Sequence, residues 1–201
     1  AMNDFELEYD YPEEVKFTIR QEQQRDYLAA AEYINLSGAD CCILEHEFGI
    51  YGGQNGVYIL SLLHRIKIPI VVTLHTILKT PSYNQKEILQ RICRMANRVV
   101  VMSKKAVSFL ENIYNVPKEK IAYIEHGVPN FHFSRQEAKA EFKLQDNKVL
   151  LTFGFVSRNK GIETAIKAMP SVIKKHPEAL YIILGKTHPH VLHYVGEEYR
   201  N

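Results

Sequence analysis

The chain of 201 residues is 46% apolar and 24% charged, enough to bury one large core or two small ones in an ordinary globular composition. Its 25 basic and 23 acidic side chains leave a net charge of +2, without the clustered basic face that nucleic acid demands. Nucleic acid is therefore excluded as an expected partner, and the nine histidines are too scattered along the chain to change that.

Residues 1–14 are acidic rather than basic-then-apolar, so no secretory leader is expected. VKFTI (15–19) alternates Val, Phe and Ile with polar residues, which predicts an edge strand with one wet face. Tyr27, Leu28, Ala31 and Ile34 then share one helical face. CCIL (41–44) is the first of six short apolar runs; IPIVVTL (68–74), RVVVM (98–102), KIAYI (120–124), VLLTF (149–153) and LYIIL (180–184) follow. None alternates apolar with polar, which predicts parallel strands buried on both faces. Helical stripes separate them: Ile59, Leu60, Leu63 and Ile66; Ile88, Leu89, Ile92 and Met95; Val107, Leu110, Ile113 and Tyr114; Ile162, Ala165, Ile166 and Met169. This β-α order predicts an α/β fold with Rossmann-like parallel sheets and flanking helices. Ser103 and Ser134 are placed to cap helices, and Pro170 is expected to interrupt the helix it sits in or to start a second short one.

The most apolar region, 66–78, contains Lys67, Pro69, Thr73, His75 and Thr76, and is too short and polar to span a bilayer. No transmembrane segment is expected. Cys41, Cys42 and Cys93 are odd in number and form no CxxC pair, so they read as reduced, buried thiols of a cytoplasmic protein. The organisation reads as an N-terminal domain over 1–127, a connection with a charged helix over 128–147, and the start of a second α/β domain over 148–201. Two strands do not make a stable open sheet, so a homodimer or strand exchange is a reasonable expectation.

Several positions fall where ligands gather in open α/β sheets, at the carboxyl ends of strands. In GFVSRNKG (154–161) a strand ends at Gly154, and Lys160-Gly161 opens a helical pattern. Free N–H groups at a helix start suit a diphosphate, and Lys160 can neutralise a phosphate, with Arg158 nearby; an ordinary strand-to-helix connection is the alternative. His75 can hydrogen-bond a ligand hydroxyl or tie its loop to a carbonyl. EHEFGIYGGQNG (45–56) sets His46 and Glu47 at the base of a loop whose Gly52 and Gly53 fit either a mobile acceptor loop or packing alone. His126 and Gly127 end the next strand and suit a hinge, Gly127 permitting a sharp bend. No H-E-x-x-H motif follows His46, since Ile50 stands at the required position, and no Asp-x-Asp pair is evident, so no metal is expected. His188, His190 and His193 lack accompanying Cys or carboxylates before Glu197.

The succession IPIVVTLHT, ANRVVVMSKKA, IAYIEHGVPN, GFVSRNKGIETAIKAMP resembles the GT-B glycosyltransferases of family 4 over about residues 40–201. The resemblance implies a partial GT-B architecture: most of an acceptor-binding N-terminal domain and the start of a donor-binding C-terminal one. It implies sugar transfer with retention from a nucleotide-sugar, UDP- or GDP-linked, to a carbohydrate or glycolipid hydroxyl, with no further cofactor required. His75 is the catalytic-site residue it implies; Gly154, Arg158, Lys160 and Gly161 are the donor phosphate-binding ones. Location would be cytoplasmic, extending to peripheral attachment at the inner membrane face. Phe155 departs from the family, which carries a basic residue there, and His126 replaces an asparagine. A nucleotide-sugar epimerase of the same fold and a noncatalytic Rossmann-like interaction domain are the alternatives.

Overall fold

A computed structural model describes residues 1–4 and 9–200. Their contacts form two units, Ala1–Val128 and a second from Pro129 onward, each built on its own parallel sheet.

The first unit opens with β1 (Met2–Asn3) and β2 (Ile19–Arg20), a short parallel pair, followed by helix α1 (Gln24–Leu36). Of the run VKFTI, Ile19 alone enters a strand. The alternation there serves packing instead: Phe17 lies 5.4 Å from the Tyr33 ring of α1, and Phe17 and Ile19 both rest against the core.

Four strands then align in chain order: β3 (Cys42–His46), β4 (Ile70–Leu74), β5 (Arg98–Val101) and β6 (Ile121–Tyr123), all parallel. Helices α2 (Ile59–Leu63), α3 (Tyr83–Met95) and α4 (Lys104–Asn112) make the crossovers. Because every crossover steps the same way across the sheet, and such connections are right-handed, all three helices fall on one face. That face carries Leu44, Val72, Leu74, Val99 and Val101, all buried. Each such side chain contributes about 1.5–3 kcal/mol by leaving water. Burial on both faces, expected from the unbroken apolar runs, is not what the strands show. The other face carries Glu45 and an Ile43 that is 66% exposed, since no crossover in this order reaches it.

The capping devices follow local chemistry. Ser103 Oγ accepts from the Ala106 N–H, and Ser82 forms a reciprocal capping box with Gln85 at the start of α3. The far end of α3 is held by Lys120, whose Nζ donates to the carbonyls of Cys93, Arg94 and Ala96 at 3.1, 2.9 and 2.8 Å. One ammonium thus satisfies three acceptors that a helix end leaves open, at the negative pole of its dipole. Lys120→Met is expected to destabilise the unit by about 2 kcal/mol, the scale of charged hydrogen bonds lost from a half-buried site. Lys118→Met, in the same turn but exposed, should leave the urea midpoint unmoved.

Of the cysteines, Cys93 is buried, while Cys42 is half-buried and Cys41 exposed, so the expectation of three buried thiols is corrected. Cys41 precedes the first residue of β3 and escapes the sheet.

The second unit contains α5 (Arg135–Glu141), capped by Ser134 Oγ, then β7 (Lys148–Phe153), α6 (Ile162–Lys175), β8 (Ala179–Leu184) and α7 (Pro189–Val195). Strands β7 and β8 pair in parallel from Lys148↔Ala179 to Phe153↔Leu184. Pro170 does not interrupt α6, contrary to expectation; the helix runs through it. Ile162, Ala165, Met169 and Val172 keep one continuous inward stripe, whose packing outweighs the one lost backbone bond. The opposite face of the strand pair is uncovered: Leu151, Phe153 and Leu184 are 58%, 78% and 55% exposed.

Candidate functional site

In the first unit the carboxyl ends of β4 and β5 border a cavity of about 470 Å³. His75 and Thr76 contribute from the end of β4, Met102, Ser103 and Lys105 from the β5–α4 turn, and His126 from beyond β6. This is where a parallel sheet concentrates ligand contacts, because loops diverge there while strand ends and helix starts hold their side chains in place.

His75 is positioned from two directions. Its backbone N–H donates to the His46 carbonyl at 3.0 Å, continuing the β3–β4 ladder. Its Nε2 meets Glu45 Oε2 at 2.7 Å, which fixes the ring and leaves Nδ1 for another partner. The His126 ring lies 6.2 Å away, centroid to centroid. Thr76 Oγ1 donates to Glu47 at 3.4 Å, so the two glutamates that bracket His46 brace consecutive residues after β4.

His46 itself is not in the cavity. It is fully buried on the core side of β3, its ring 5.4 Å from Phe48 and 6.0 Å from Tyr51, and neither nitrogen has a hydrogen-bond partner. Burial, with His75 nearby as a lesser cause, pushes its pKa down to about 4. At neutral pH it is an uncharged core group.

The glycine loop answers to packing. Gly52 N–H donates to Tyr27 Oη at 2.8 Å, Gly53 N–H to Glu22 at 3.1 Å, and Gln21 Nε2 to the Gly49 carbonyl at 3.0 Å. Gly53 has a φ of +73°, in the left-handed region that favours glycine. Gly127, by contrast, needs neither an unusual φ nor close contact, so the sharp bend expected there is not what glycine provides.

In the second unit, β7 is followed by Gly154 with a φ of +130°, and a single 3₁₀ turn over Arg158–Lys160 leads to Gly161, which enters α6 at a φ of +61°. Both glycines are required by backbone angle. Lys160 is exposed within the last turn before α6. Arg158 pairs with Glu198 at 3.4 Å, and its guanidinium lies 5.4 Å from the centre of the Tyr199 ring. Tyr199 in turn donates to Glu163 in the first turn of α6. The expected phosphate turn therefore has its glycine geometry and its lysine, while Arg158 is engaged by neighbours. Phe155, the departure from a basic residue, packs edge-on against His188 at 5.3 Å.

Among the described residues no group of three His, Cys, Asp or Glu side chains is arranged to hold a metal ion, and the side chain of His190 lies outside the described set. No described helix is long and apolar enough to cross a membrane.

Sequence reasoning did not single out Glu45 and Lys105. The signal for Glu45 was available: in a strand, the neighbour of a buried His46 must point to the opposite face. Lys105, one of two adjacent lysines, carried none.

Comparison with known proteins gives matches over part of the chain. Residues 50–130 match the model of Glycosyltransferase Family 4. The chain is similar to an uncharacterized glycosyltransferase of Methanocaldococcus jannaschii, 30% identical over an alignment of 93 positions that covers 42% of this chain and 24% of that protein. It is also similar to spore coat protein SA of Bacillus subtilis, 31% identical over 52 residues, 26% of this chain and 14% of the other. The matched part thus spans a quarter or less of the length of these relatives.

Proposed function

We propose that this chain takes part in sugar transfer from a nucleotide-sugar, UDP- or GDP-linked, to a hydroxyl of a carbohydrate or glycolipid acceptor, with retention at the anomeric carbon. The observation that carries the reading is a coincidence of two findings. The span matched by the glycosyltransferase family, 50–130, contains every residue that lines the 470 Å³ cavity at the strand ends, His75 and His126 included.

On this reading His75, its ring set by Glu45, hydrogen-bonds a sugar hydroxyl. The Lys160 and Gly161 N–H groups already donate to the Ser157 and Arg158 carbonyls, so the 3₁₀ turn before α6 supplies those of Arg158 and Asn159, and Lys160 supplies a positive charge, to the diphosphate whose departure the reaction requires. Such donors act where negative charge develops, and need no further cofactor. The setting is cytoplasmic, with attachment at the inner membrane face where the acceptor is a glycolipid.

Calorimetric titration with UDP and GDP tests the assignment. One of the two should bind, and Lys160→Ala should weaken it about tenfold or more, as expected for loss of a charged hydrogen bond. Failure of both nucleotides to bind, or an unchanged affinity in the variant, would remove the donor assignment.

A further inference from the structure

The cavity at the ends of β4 and β5 has a lopsided charge. Its walls include the Lys105 ammonium, the His75 and His126 imidazoles and the Ser103 hydroxyl, and no Asp or Glu lines it. Lys105 forms no ion pair among the described residues; its Nζ instead lies 5.8 Å from the centre of the Phe109 ring, one turn further along α4 and also on the wall. An ammonium over an aromatic face keeps its charge, so it can still pair with an anion. Ser103 Oγ accepts from the Ala106 N–H, so its own hydrogen is available to an acceptor atom. Two carboxylates touch the lining from outside it and are both occupied there, Glu45 by His75 Nε2 at 2.7 Å and Glu47 by the Thr76 hydroxyl at 3.4 Å. The opening therefore offers donors from three side chains, Lys105, His126 and Ser103, with no carboxylate on its lining.

We propose that the cavity binds an anionic group, a phosphate monoester or a carboxylate, carried by the acceptor, with Lys105 as its charged contact and His126 and Ser103 as hydrogen-bond donors. The inference deepens the sugar-transfer reading and rests on it only for naming the ligand an acceptor. A neutral sugar carries no charge to pair with a lysine here, whereas a sugar phosphate or a sugar acid does, and such charge-assisted bonds are the stronger ones. The remaining walls, Leu74, Ile77 and Phe109 among them, are apolar and suit the carbon face of a sugar ring.

Histidine ring resonances supply a local probe. His75 and His126 signals, assigned with His75→Asn and His126→Asn, are followed by two-dimensional NMR during titration with glucose 6-phosphate, glucuronate and glucose. Saturable shifts of both signals are expected with glucose 6-phosphate or glucuronate, and whichever binds more tightly tells phosphate from carboxylate. The midpoint should move at least fivefold in Lys105→Ala. It should stay within twofold in Lys104→Ala, since Lys104 does not line the cavity. Equal shifts with glucose would overturn the proposal, as would equal weakening by Lys104→Ala, which marks diffuse charge. The readout is independent of nucleotide: loss of UDP and GDP binding with these shifts intact sinks the donor assignment alone, and the reverse sinks this one alone.

Discussion

Gly52→Ala is expected to destabilise the first unit by about 3–5 kcal/mol, at the severe end of single substitutions. A Cβ on Gly52 would lie 1.8 Å from the Gln21 carbonyl oxygen and 2.7 Å from its carbon. Both are backbone atoms, so no side-chain rotation relieves the clash. The same carbonyl accepts from Tyr27 Oη at 2.8 Å, and Tyr27 Oη accepts from Gly52 N–H at 2.8 Å. Separating the two segments thus breaks both bonds around a tyrosine that is fully buried, and leaves its hydroxyl without partners. Gly49→Ala is the control, since a Cβ there meets nothing within 4 Å and the φ is unremarkable. Urea unfolding followed by far-ultraviolet circular dichroism should separate the two variants. Equal midpoints would show that the close approach at Gly52 relaxes at little cost.

That glycine explains why part of this molecule was legible in its sequence and part was not. The strand runs at 70–74 and 98–101 were readable because β-branched residues dominate them, and α3 because Ile88, Leu89 and Ile92 recur at helical spacing. Ser103 declared itself as a cap because a short hydroxyl before a helical stripe has one favourable use. Burial on one face rather than two was invisible, because it depends on strand order, and an apolar run does not record its neighbours. Gly52 reads like any loop glycine until Gln21 is seen against it, 31 positions earlier in the chain. Lys120 and Lys105 look alike in sequence, yet one caps α3 and the other faces a cavity. Their roles arise from long-range packing, which composition and periodicity do not encode.

The pattern is similar at the candidate site. His75 was legible because it closes a strand, and strand ends gather ligands in this architecture. His46 sat at an equally prominent position, yet strand alternation turned it inward. Register instead brought its neighbour Glu45 to the candidate site: Glu45 pairs with Thr73, two residues before His75, which brings its carboxylate to the imidazole. Site residues that depend on one strand were readable; those that depend on the pairing of two were not.

His46 leads to the second large expectation, a loss of about 3 kcal/mol of stability between pH 7 and pH 4. Burial first, and the neighbouring His75 second, lower its pKa from 6.5 to about 4. The unfolded chain therefore takes up a proton near pH 6.5 that the folded chain refuses until about pH 4. Throughout that window the unfolded state binds more protons, so stability falls as pH falls, and this contribution levels off below the folded value. Asp26, held below the ordinary carboxylate range chiefly by its hydrogen bond from Arg20, acts beneath the window, as protonation approaches from about pH 4 downward. His46→Leu is similar in volume and removes two ring nitrogens that have no partner, so it should fold at least as well near pH 7. The chain has no tryptophan, so unfolding is best followed by circular dichroism in urea at several pH values. The native protein should lose stability steadily from pH 6.5 to 4.5, and His46→Leu should lose at least 2 kcal/mol less across the same range. An identical slope in both would mean that His46 titrates without cost in the folded unit, and that water reaches it beneath Phe48 and Tyr51.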